Sequence, residues 1–530
     1  MLNKKLKRLV CATVTSMMLF STVTAFADEL GSGEQVTAKS ISVTGTYDII
    51  VRGFDWGPGV TQAVITLDNE VSDVNKDTFK VKETKQGMAG IEETERIILN
   101  AYVSDENGNR VEGVSKNVTI ELAVGPEVGN PFVFSFETFA NSWADPYYLN
   151  VTLANDSKLK VGDKVVDELN IRSEYVNRKT PTVDAFKEET YAAEGDISMK
   201  YAHYSPEFDN KKNPLIIWLH GAGEGGSDTL ITTLGNEVGE LITPEIQDKF
   251  GGAYVLTPQS PTMWMDSGSG EMDSTGKTIY AGSLMNLIKS YVNSSEDIDT
   301  NRIYVGGCSN GGYMTMKLIL DNPEYFAAAY PICEPYSDAA ITDKQLEGIE
   351  NLPIWFTYAL GDELVDSYST SIATAKRLKA IGNKNVKISE FEKVIDTSGL
   401  YKNEDGSPYE YNAHWSWIYA FNDECVDGDD SLWSWLSEQE KVQLTQLEPS
   451  KPMEKPEKPG DDNIEKPGDD NIEKPEEPSD DVIEKPEEPD NNRNDSSIST
   501  GKDELPNTGA PISSMSVVIM GVLSTAVGIR

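Results

Sequence analysis

The chain has 530 residues, and its 87 acidic and 46 basic side chains give a formal net charge of -41 at pH 7. This length is too great for one ordinary domain. The negative charge argues against nucleic acid as a partner and against binding to anionic membranes by charge, because both surfaces repel an acidic protein. The sequence has no zinc-type spacing of Cys and His, no phosphate-binding loop and no dinucleotide fingerprint. We therefore predict neither a metal nor a cofactor.

Residues 1–27 have the pattern of a secretory signal peptide. Basic residues between Lys4 and Arg8 precede an apolar run from Leu9 to Phe20, and Ala25-Phe26-Ala27 offers a cleavage site of small residues. This order of a basic, an apolar and a cleavable region directs export. The run is short and interrupted by Thr and Ser, which favours a cleaved signal over a membrane anchor. We therefore predict a secreted protein that contacts the membrane only transiently.

The pattern of residues 34–185 predicts a β-sandwich. Short alternating runs such as Ala63 to Leu67 and Val118 to Val124 are separated by turn segments, one of which is Asp105 to Asn109. Regular short strands with turn signals between them are typical of this class. Three roles stay open for the domain: substrate binding, contact between copies of the chain, and shaping of the mouth of an active site.

Residues 190–445 predict a second domain in which strands and helices alternate. A helix is expected from Ala281 to Val292, between two of the strands. Alternation of this kind predicts an α/β fold, a mostly parallel sheet with helices on both faces. The expected strands lie near residues 197–205, 214–219, 253–257, 302–307, 326–331, 353–359 and 386–391.

A nucleophile motif follows one of these strands. Gly307-Cys308-Ser309-Asn310-Gly311 fits the pattern GxSxG and comes directly after the apolar run Arg302 to Gly306. A sharp turn from strand to helix exposes the serine hydroxyl, and the small flanking residues permit that turn. Helix-like apolar spacing continues from Gly312 to Leu320. We therefore predict that Ser309 is a nucleophile.

The chain has three histidines, and each has a separate predicted role. His203 lies in an alternating, strand-like stretch and is expected to be structural. His220 begins a glycine-rich loop directly after an apolar strand, which is the form of a loop that supplies an oxyanion-hole N–H. The alternative is a glycine-rich connection that binds nothing. His414 remains as the general base, in a loop that leads into an aromatic-rich helix.

A general-base histidine needs a carboxylate to orient its imidazole. The apolar strand Pro353 to Leu360 is followed by Gly361 and then by three acidic residues. The carboxyl ends of strands are where open α/β sheets place their chemistry. Asp362 is preferred because it comes first after the strand and the glycine, while Glu363 and Asp366 remain alternatives.

The chain order Ser309, Asp362, His414 is that of the α/β-hydrolases. From Leu215 to Trp435 the sequence resembles the prolyl-oligopeptidase-like esterases, close to the group of poly(3-hydroxybutyrate) depolymerases and feruloyl esterases. The blocks that carry this resemblance are His220-Gly221-Ala222-Gly223, Thr257 to Pro261, Asn301 to Tyr313, Pro323 to Cys333, Gly361 to Val365, and His414-Trp415-Ser416-Trp417.

The resemblance implies a catalytic triad of Ser309, Asp362 and His414. It also implies an oxyanion hole made by the backbone N–H of Asn310 and one N–H of Ala222 or Gly223. The sequence departs from the family at Cys308, where leucine is usual, at Ala413, where glycine is usual, and at Asp366, where proline is common. The segment Phe54 to Gly59 resembles the Ig-like module that precedes some of these esterases.

Two groups of residues keep alternative interpretations. Trp264 and Trp415 are candidates to line an acyl pocket, although aromatic residues at such positions also serve as core. Cys308, Cys333 and Cys425 remain after removal of the signal peptide, and an odd number cannot all pair internally. Cys308 and Cys333 form a disulfide if their strands are neighbours, or all three are buried free thiols that act as small apolar residues.

Residues 446–504 are of low complexity, and the eight residues 457–464 recur at 465–472. Rich in Pro, Glu, Asp and Lys and poor in apolar residues, the segment predicts a disordered linker. In residues 505–530, Leu505 to Gly509 and the apolar stretch after it resemble the LPxTG sorting signal of Gram-positive surface proteins. The resemblance implies cleavage by a sortase between Thr508 and Gly509 and attachment to peptidoglycan at the cell wall surface.

The predicted function is that of a wall-displayed serine esterase. Its substrate is expected to be an external ester, and acyl groups on polysaccharides, including acetyl and feruloyl groups, are candidates. Within enzymes, a serine peptidase is the alternative because the fold class permits it. A non-catalytic adhesion or binding protein is the alternative from another class, and its signature would be a missing member of the triad.

Overall fold

The computed structural model describes residues 41–441. The predicted signal peptide, linker and sorting signal lie outside the described residues, as do the first residues of the predicted β-sandwich and the last of the predicted α/β domain. No helix within 41–441 is long and apolar enough to cross a membrane.

The N-terminal domain is a β-sandwich, as predicted. The strands are β1 (Ser42–Phe54), β2 (Gly57–Val71), β3 (Phe79–Gly87), β4 (Gly90–Arg96), β5 (Ile98–Ser104), β6 (Ser115–Leu122), β7 (Phe132–Ser135), β8 (Ala140–Trp143), β9 (Tyr147–Leu153), β10 (Lys160–Val161), β11 (Lys164–Val165), β12 (Glu168–Ile171) and β13 (Arg178–Lys179). One sheet has the strand order β12-β1-β2-β6-β5, with β13 also paired to β1, and the other has the order β4-β3-β9. The two sheets share one apolar core, to which Ile65, Val81 and Leu149 contribute.

The second domain is built on an eight-stranded sheet, and each of the seven predicted strands is present. These strands are β14 (Lys187–Tyr191), β15 (Met199–Tyr204), β16 (Asn213–Leu219), β17 (Tyr254–Gln259), β18 (Ile298–Cys308), β19 (Ala328–Ile332), β20 (Ile354–Ala359) and β21 (Val386–Phe391). Their order in the sheet is β14-β15-β17-β16-β18-β19-β20-β21. The pairs β14–β15 and β15–β17 are antiparallel, and the remaining pairs are parallel. A short hairpin of β22 (Val426–Asp427) and β23 (Asp430–Ser431) follows the sheet.

The helices of this domain alternate with its strands. They are α1 (Thr229–Gly235), α2 (Pro244–Phe250), α3 (Ala281–Asn293), α4 (Asn310–Asp321), α5 (Asp343–Gly348), α6 (Ser371–Ala380), α7 (Trp417–Phe421) and α8 (Leu432–Ser437), with 3-10 turns at Ala222–Glu224, Val238–Ile242 and Asp338–Ala340. The observed α3 extends the predicted helix by one residue at its C-terminus.

Strand β16 shows why helices cover both faces of the sheet. All seven of its residues are buried, which is typical of a strand in a parallel sheet covered on both faces. Successive side chains of a strand point to opposite faces. Ile217 accordingly packs into the core that contains residues of α3 and α4, whereas Trp218 packs into the core that contains residues of α7 and α8. The predicted three-layer α/β arrangement is therefore confirmed.

Candidate active site

Ser309 lies at a strained turn between β18 and α4. Its backbone has φ 52° and ψ -115°, a region that residues other than glycine rarely occupy. The turn is held from both sides, because the Ser309 N–H donates to Ile332 O at 2.9 Å and the Ser309 carbonyl accepts from the Tyr313 N–H at 2.9 Å. The sharp turn that the GxSxG motif predicts is therefore present, with the side chain of Ser309 at its apex.

The two glycines of the motif are required by close packing against β16. A Cβ atom added to Gly307 would lie 2.2 Å from Leu219 O, and one added to Gly311 would lie 1.8 Å from the same oxygen. Any side chain at either position would collide with this backbone. The glycines thus let the turn and the start of α4 lie directly against the carboxyl end of β16.

Asp362 and His414 are in direct contact. The distance from His414 Nδ1 to Asp362 Oδ2 is 2.7 Å, and the side chains are 8% and 2% exposed. Asp362 Oδ1 also accepts from the backbone N–H groups of Leu364 and Val365, at 2.8 and 3.0 Å. These bonds fix the carboxylate, and its contact with Nδ1 leaves Nε2 of the imidazole free to accept a proton.

Of the three acidic residues after β20, Asp362 is the one that contacts the histidine. Glu363 and Asp366 are exposed. The carboxylate of Asp366 accepts instead from the backbone N–H of Tyr368, at 3.1 Å. The structure therefore favours the sequence-based preference for Asp362 over its two neighbours.

Ser309 lies at the same edge of the sheet as this pair. The serine follows β18 and Asp362 follows β20, and β19 separates the two strands. Cys333 lies directly after β19, close to both residues. Burial raises the pKa of its thiol well above the usual value, the charge of Asp362 raises that pKa further, and a hydrogen bond with the Ser309 backbone lowers it. Within residues 41–441, Ser309 makes no direct hydrogen bond to His414. Such bonds often tighten only when substrate binds, so the triad as a working unit stays a prediction.

The predicted oxyanion donors are the N–H of Asn310 and an N–H of the loop after β16. The Ser309 carbonyl accepts a hydrogen bond from the Tyr313 N–H at the start of α4. The N–H of Asn310, in the first turn of this helix, has no acceptor within the helix. The Asn310 side chain is itself fixed, since its Oδ1 accepts from the Met265 N–H at 3.0 Å. Ala222 and Gly223 lie in the 3-10 turn after β16. A Cβ atom on the preceding Gly221 would be 3.5 Å from Cys308 Sγ, so this turn borders the nucleophile motif.

His220 holds that loop in place. Its ring is fully buried, with Nδ1 2.6 Å from Gly221 O and Nε2 accepting the Ser260 N–H at 3.0 Å. Burial lowers the pKa of His220 to about 4, so the imidazole is neutral with its proton on Nδ1. His203 lies on β15, in the strand that its alternating stretch predicts, and burial lowers its pKa too.

Two buried glutamates at this edge were missed by the sequence analysis. Burial raises the pKa of Glu224 to about 7, partly offset by a hydrogen bond from Asn141. Glu334 is fully buried, which raises its pKa well above the usual value, and it accepts from the Tyr336 N–H at 2.7 Å. A Cβ atom on Gly312 would lie 2.7 Å from Glu334 Cβ, so this acid packs under the start of α4. Its position after β19 is the same signal that selected Asp362 after β20.

The prediction that Trp264 lines an acyl pocket is wrong, because its side chain is fully buried in the core. Its indole packs against His220 at 5.0 Å and Tyr280 at 6.1 Å between ring centroids. Trp415 is half-buried and packs against Tyr411 and Trp417. Trp415 therefore remains a candidate to contact substrate.

The cysteines are free thiols. Cys308, Cys333 and Cys425 are all buried and unpaired, so the alternative of a disulfide between the first two is wrong. The strands next to Cys308 and Cys333, β18 and β19, are neighbours, as that alternative required. Burial raises the pKa of each of the three thiols, which keeps them protonated and apolar in character.

Two further observations on the described region concern metal binding and a cleft. Residues 41–441 contain no group of three or more His, Cys, Asp or Glu side chains placed to hold a metal ion. A cleft of about 300 Å³ follows the seam between the two domains. It is lined by residues that include Gly53, Thr182, Thr233, Gly239 and Pro244, and by none of the predicted triad.

Comparison with known proteins identifies both domains. Residues 46–166 match the esterase Ig-like N-terminal domain, and residues 206–398 match the phospholipase/carboxylesterase family. The second domain is therefore a phospholipase/carboxylesterase domain. The fold inferred from sequence and the resemblance to esterases are thereby confirmed for these two domains.

Two relatives show how far this similarity extends. The crystal structure of a thermostable esterase is similar over 74% of this chain and 99% of its own, with 26% identity and a TM-score of 0.59. A poly(3-hydroxybutyrate) depolymerase from Ralstonia pickettii is 32% identical over 129 residues, which are 23% of this chain. The aligned part is 25% of the depolymerase, so the chain matches about a quarter of that protein's length. The similarity to the thermostable esterase, by contrast, spans both domains.

Proposed function

We propose that the protein is a secreted, cell-wall-anchored serine esterase that hydrolyses carboxylic esters through Ser309, His414 and Asp362. The observation that carries this proposal is the 2.7 Å contact between His414 Nδ1 and Asp362 Oδ2. This pair lies at the sheet edge where Ser309 occupies a strained turn at the start of a helix. The carboxylesterase family of the domain supports ester hydrolysis as the chemistry.

In the first half of the proposed reaction, His414 Nε2 removes the proton of Ser309 as the hydroxyl oxygen attacks the ester carbonyl carbon. The carbonyl oxygen becomes an oxyanion, which the N–H of Asn310 and an N–H of Ala222 or Gly223 stabilise. Asp362 stabilises the imidazolium that forms. His414 then gives its proton to the leaving alcohol oxygen, and the carbon–oxygen bond to the alcohol breaks to leave an acyl-enzyme.

In the second half, water replaces the alcohol. His414 takes a proton from the water as its oxygen attacks the acyl carbon, and the same N–H groups stabilise the second oxyanion. The bond to Ser309 breaks, the proton returns to the serine oxygen, and the carboxylic acid leaves. Because the imidazole of His220 is neutral, buried and used on both nitrogens, it takes no part in these proton transfers.

The site of action rests on sequence patterns at the two ends of the chain. Residues 1–27 have the three regions of a secretory signal, and Leu505 to Gly509 matches the LPxTG sorting pattern. An exported protein joined by a sortase to peptidoglycan at Thr508 would meet esters outside the cell. Acyl groups carried on polysaccharides are the substrates that fit such a location.

The catalytic proposal is tested with Ser309→Ala and with Ser173→Ala as a matched control, since Ser173 is exposed and lies in the Ig-like domain. Loss of the nucleophile should lower kcat for p-nitrophenyl acetate by at least about a thousandfold, while the control keeps the wild-type value. Peptide p-nitroanilides measured alongside test the alternative activity. Full activity of Ser309→Ala, or faster cleavage of the peptides than of the esters, would show the proposal to be wrong.

The location is tested by fractionating cells that express the wild type, Thr508→Ala or Thr500→Ala. The first variant alters the proposed sortase site, and the second alters a threonine of the preceding segment. Only Thr508→Ala should lose covalent linkage to peptidoglycan. Equal linkage of all three proteins would refute wall anchoring without affecting the catalytic proposal.

A further inference from the structure

A hairpin of the Ig-like domain carries three phenylalanines at its tip. Strands β7 and β8 pair from Phe132 and Trp143 to Ser135 and Ala140, and the turn between them completes the hairpin. The ring of Phe134 is 5.2 Å from that of Phe136 and 6.3 Å from that of Phe139, both edge to face. Phe136 is 41% exposed. We call this segment, residues 132–143, the Phe-rich hairpin.

The Phe-rich hairpin lies against the predicted oxyanion loop. A Cβ atom added to Gly223 would be 2.9 Å from Asn141 Nδ2 and 3.9 Å from Phe134 Cε2. Asn141 Nδ2 also donates to Glu224 Oε1 at 3.3 Å. The phenylalanine cluster is therefore a direct neighbour of a backbone segment that is proposed to bind the oxyanion.

The base of the hairpin is fixed to both domains. Trp143 Nε1 donates to Asp228 Oδ2 at 2.8 Å, across the domain seam. Its indole packs edge to face on Phe132 at 4.7 Å, and the Arg178 guanidinium lies 3.3 Å from its ring centroid. A cation so close to an aromatic face adds to this anchoring. These contacts hold the base of the hairpin against the second domain.

The strand order decides which part of a bound ester the Phe-rich hairpin meets. The oxyanion loop follows β16, Ser309 follows β18, and Asp362 with its partner His414 follows β20. The leaving alcohol must take its proton from His414, on the β20 side. The Phe-rich hairpin lies on the β16 side, so the group that extends toward it is the acyl group, which stays attached to the serine.

We propose that the Phe-rich hairpin is an acyl-binding subsite, supplied by the Ig-like domain, that selects esters with an aromatic acyl group. The proposal rests on the proposed function, because it places the acyl group by reference to Ser309 and His414. Phe136 is exposed and Phe134 and Phe139 are partly exposed, so this edge-to-face cluster offers a surface on which a further aromatic ring can pack. The subsite gives the Ig-like domain a direct role in substrate selection.

The test uses p-nitrophenyl esters with one leaving group and three acyl groups: acetyl, octanoyl and cinnamoyl. The wild type should have a higher kcat/KM for the cinnamoyl than for the acetyl ester. Phe136→Ala and Phe139→Ala should each lower the cinnamoyl-to-acetyl ratio of kcat/KM by about tenfold, as expected for loss of one ring contact. Phe208→Ala, at a phenylalanine that is 74% exposed in the other domain, should leave the ratio unchanged. Thermal unfolding of each variant checks that it is folded.

A second series keeps the acetyl group and replaces p-nitrophenol by naphthol or methanol. The ratios of kcat/KM between these acetyl esters should be the same in Phe136→Ala, Phe139→Ala and the wild type. The proposal is overturned if those variants lower all acyl esters equally, lower the octanoyl ester as much as the cinnamoyl ester, or alter the alcohol series. Ser309→Ala distinguishes failure of the subsite from failure of the catalytic proposal. If Ser309→Ala is inactive while Phe136→Ala and Phe139→Ala keep the wild-type cinnamoyl-to-acetyl ratio, the subsite is wrong and the catalytic proposal stands.

Discussion

The buried acid Glu224 makes a specific prediction about stability and pH. Its side chain lies under the oxyanion loop, where a Cβ atom added to Gly235 would be 2.7 Å from Glu224 Cγ. Burial raises its pKa from 4.5 to about 7. The folded protein thus holds this proton more tightly than the unfolded chain does. Between these two pKa values the folded state binds more protons, so the free energy of unfolding falls as the pH rises, and the loss is complete once the pH exceeds the folded pKa.

The size of the effect follows from the shift. A pKa change from 4.5 to about 7 corresponds to about 3 kcal/mol, at about 1.4 kcal/mol per unit. Glu224→Gln replaces the protonated acid with a neutral side chain of the same shape. Relative to the wild type, the variant should therefore gain up to about 3 kcal/mol between about pH 5 and about pH 8. Glu334 has a pKa shifted in the same direction, so the difference between the two proteins, rather than either curve alone, isolates Glu224.

Urea unfolding followed by tryptophan fluorescence at both pH values measures this difference. Glu207→Gln serves as the control, because Glu207 is exposed and its substitution should change neither curve. If the difference between wild type and Glu224→Gln is the same at the two pH values, the carboxyl of Glu224 does not titrate as its burial requires. A wild type that gains stability from Glu224 at the higher pH would refute the reasoning outright.

Three further predictions concern the active site. Asp362→Asn should lower kcat by about a thousandfold or more, because the imidazole of His414 loses the charge that stabilises it, whereas Asp366→Asn at an exposed position should have little effect on initial rates. Gly311→Ala should yield little folded enzyme by circular dichroism and thermal unfolding, since its Cβ atom would lie 1.8 Å from Leu219 O; a variant with wild-type stability would contradict this. The three buried cysteines should react with a thiol reagent only as fast as the protein unfolds, and rapid labelling of the native protein would show that one of them is accessible.

The parts of the fold that sequence predicted are those in which one local pattern dictates one structure. Strand β16 is apolar at nearly every position because both of its faces are buried, and the glycines at 307 and 311 are fixed by one backbone oxygen of that strand. The choice among the acids after β20 needed the three-dimensional structure, since all three follow the same strand. The 2.7 Å contact with His414 and the burial of its side chain separate Asp362 from the two exposed acids.

The features that the sequence did not predict depend on contacts between distant parts of the chain. Trp264 and Trp415 both lie in connecting segments, but Trp264, in the loop after β17, is fully buried in the core, whereas Trp415, next to His414, is half-buried. Phe132, Phe134 and Phe136 alternate in sequence, but only the turn between β7 and β8 brings Phe139 beside Phe134. Contacts across the domain seam, such as Asn141 with Glu224, join residues 83 positions apart. No local pattern predicts such pairs.

The Ig-like domain also contacts the segment that carries His414, the proposed general base. Asn422 Nδ2 donates to Asp55 Oδ1 at 3.1 Å, and the Tyr409 hydroxyl donates to Glu127 Oε1 at 2.6 Å. These two residues of the carboxylesterase domain flank His414 in the chain. The proposed oxyanion loop contacts the Phe-rich hairpin, and the segment around His414 is held by these two bonds. Both segments that the proposed mechanism places beside Ser309 therefore contact the same neighbouring domain, which argues against an Ig-like module that acts separately from the proposed site.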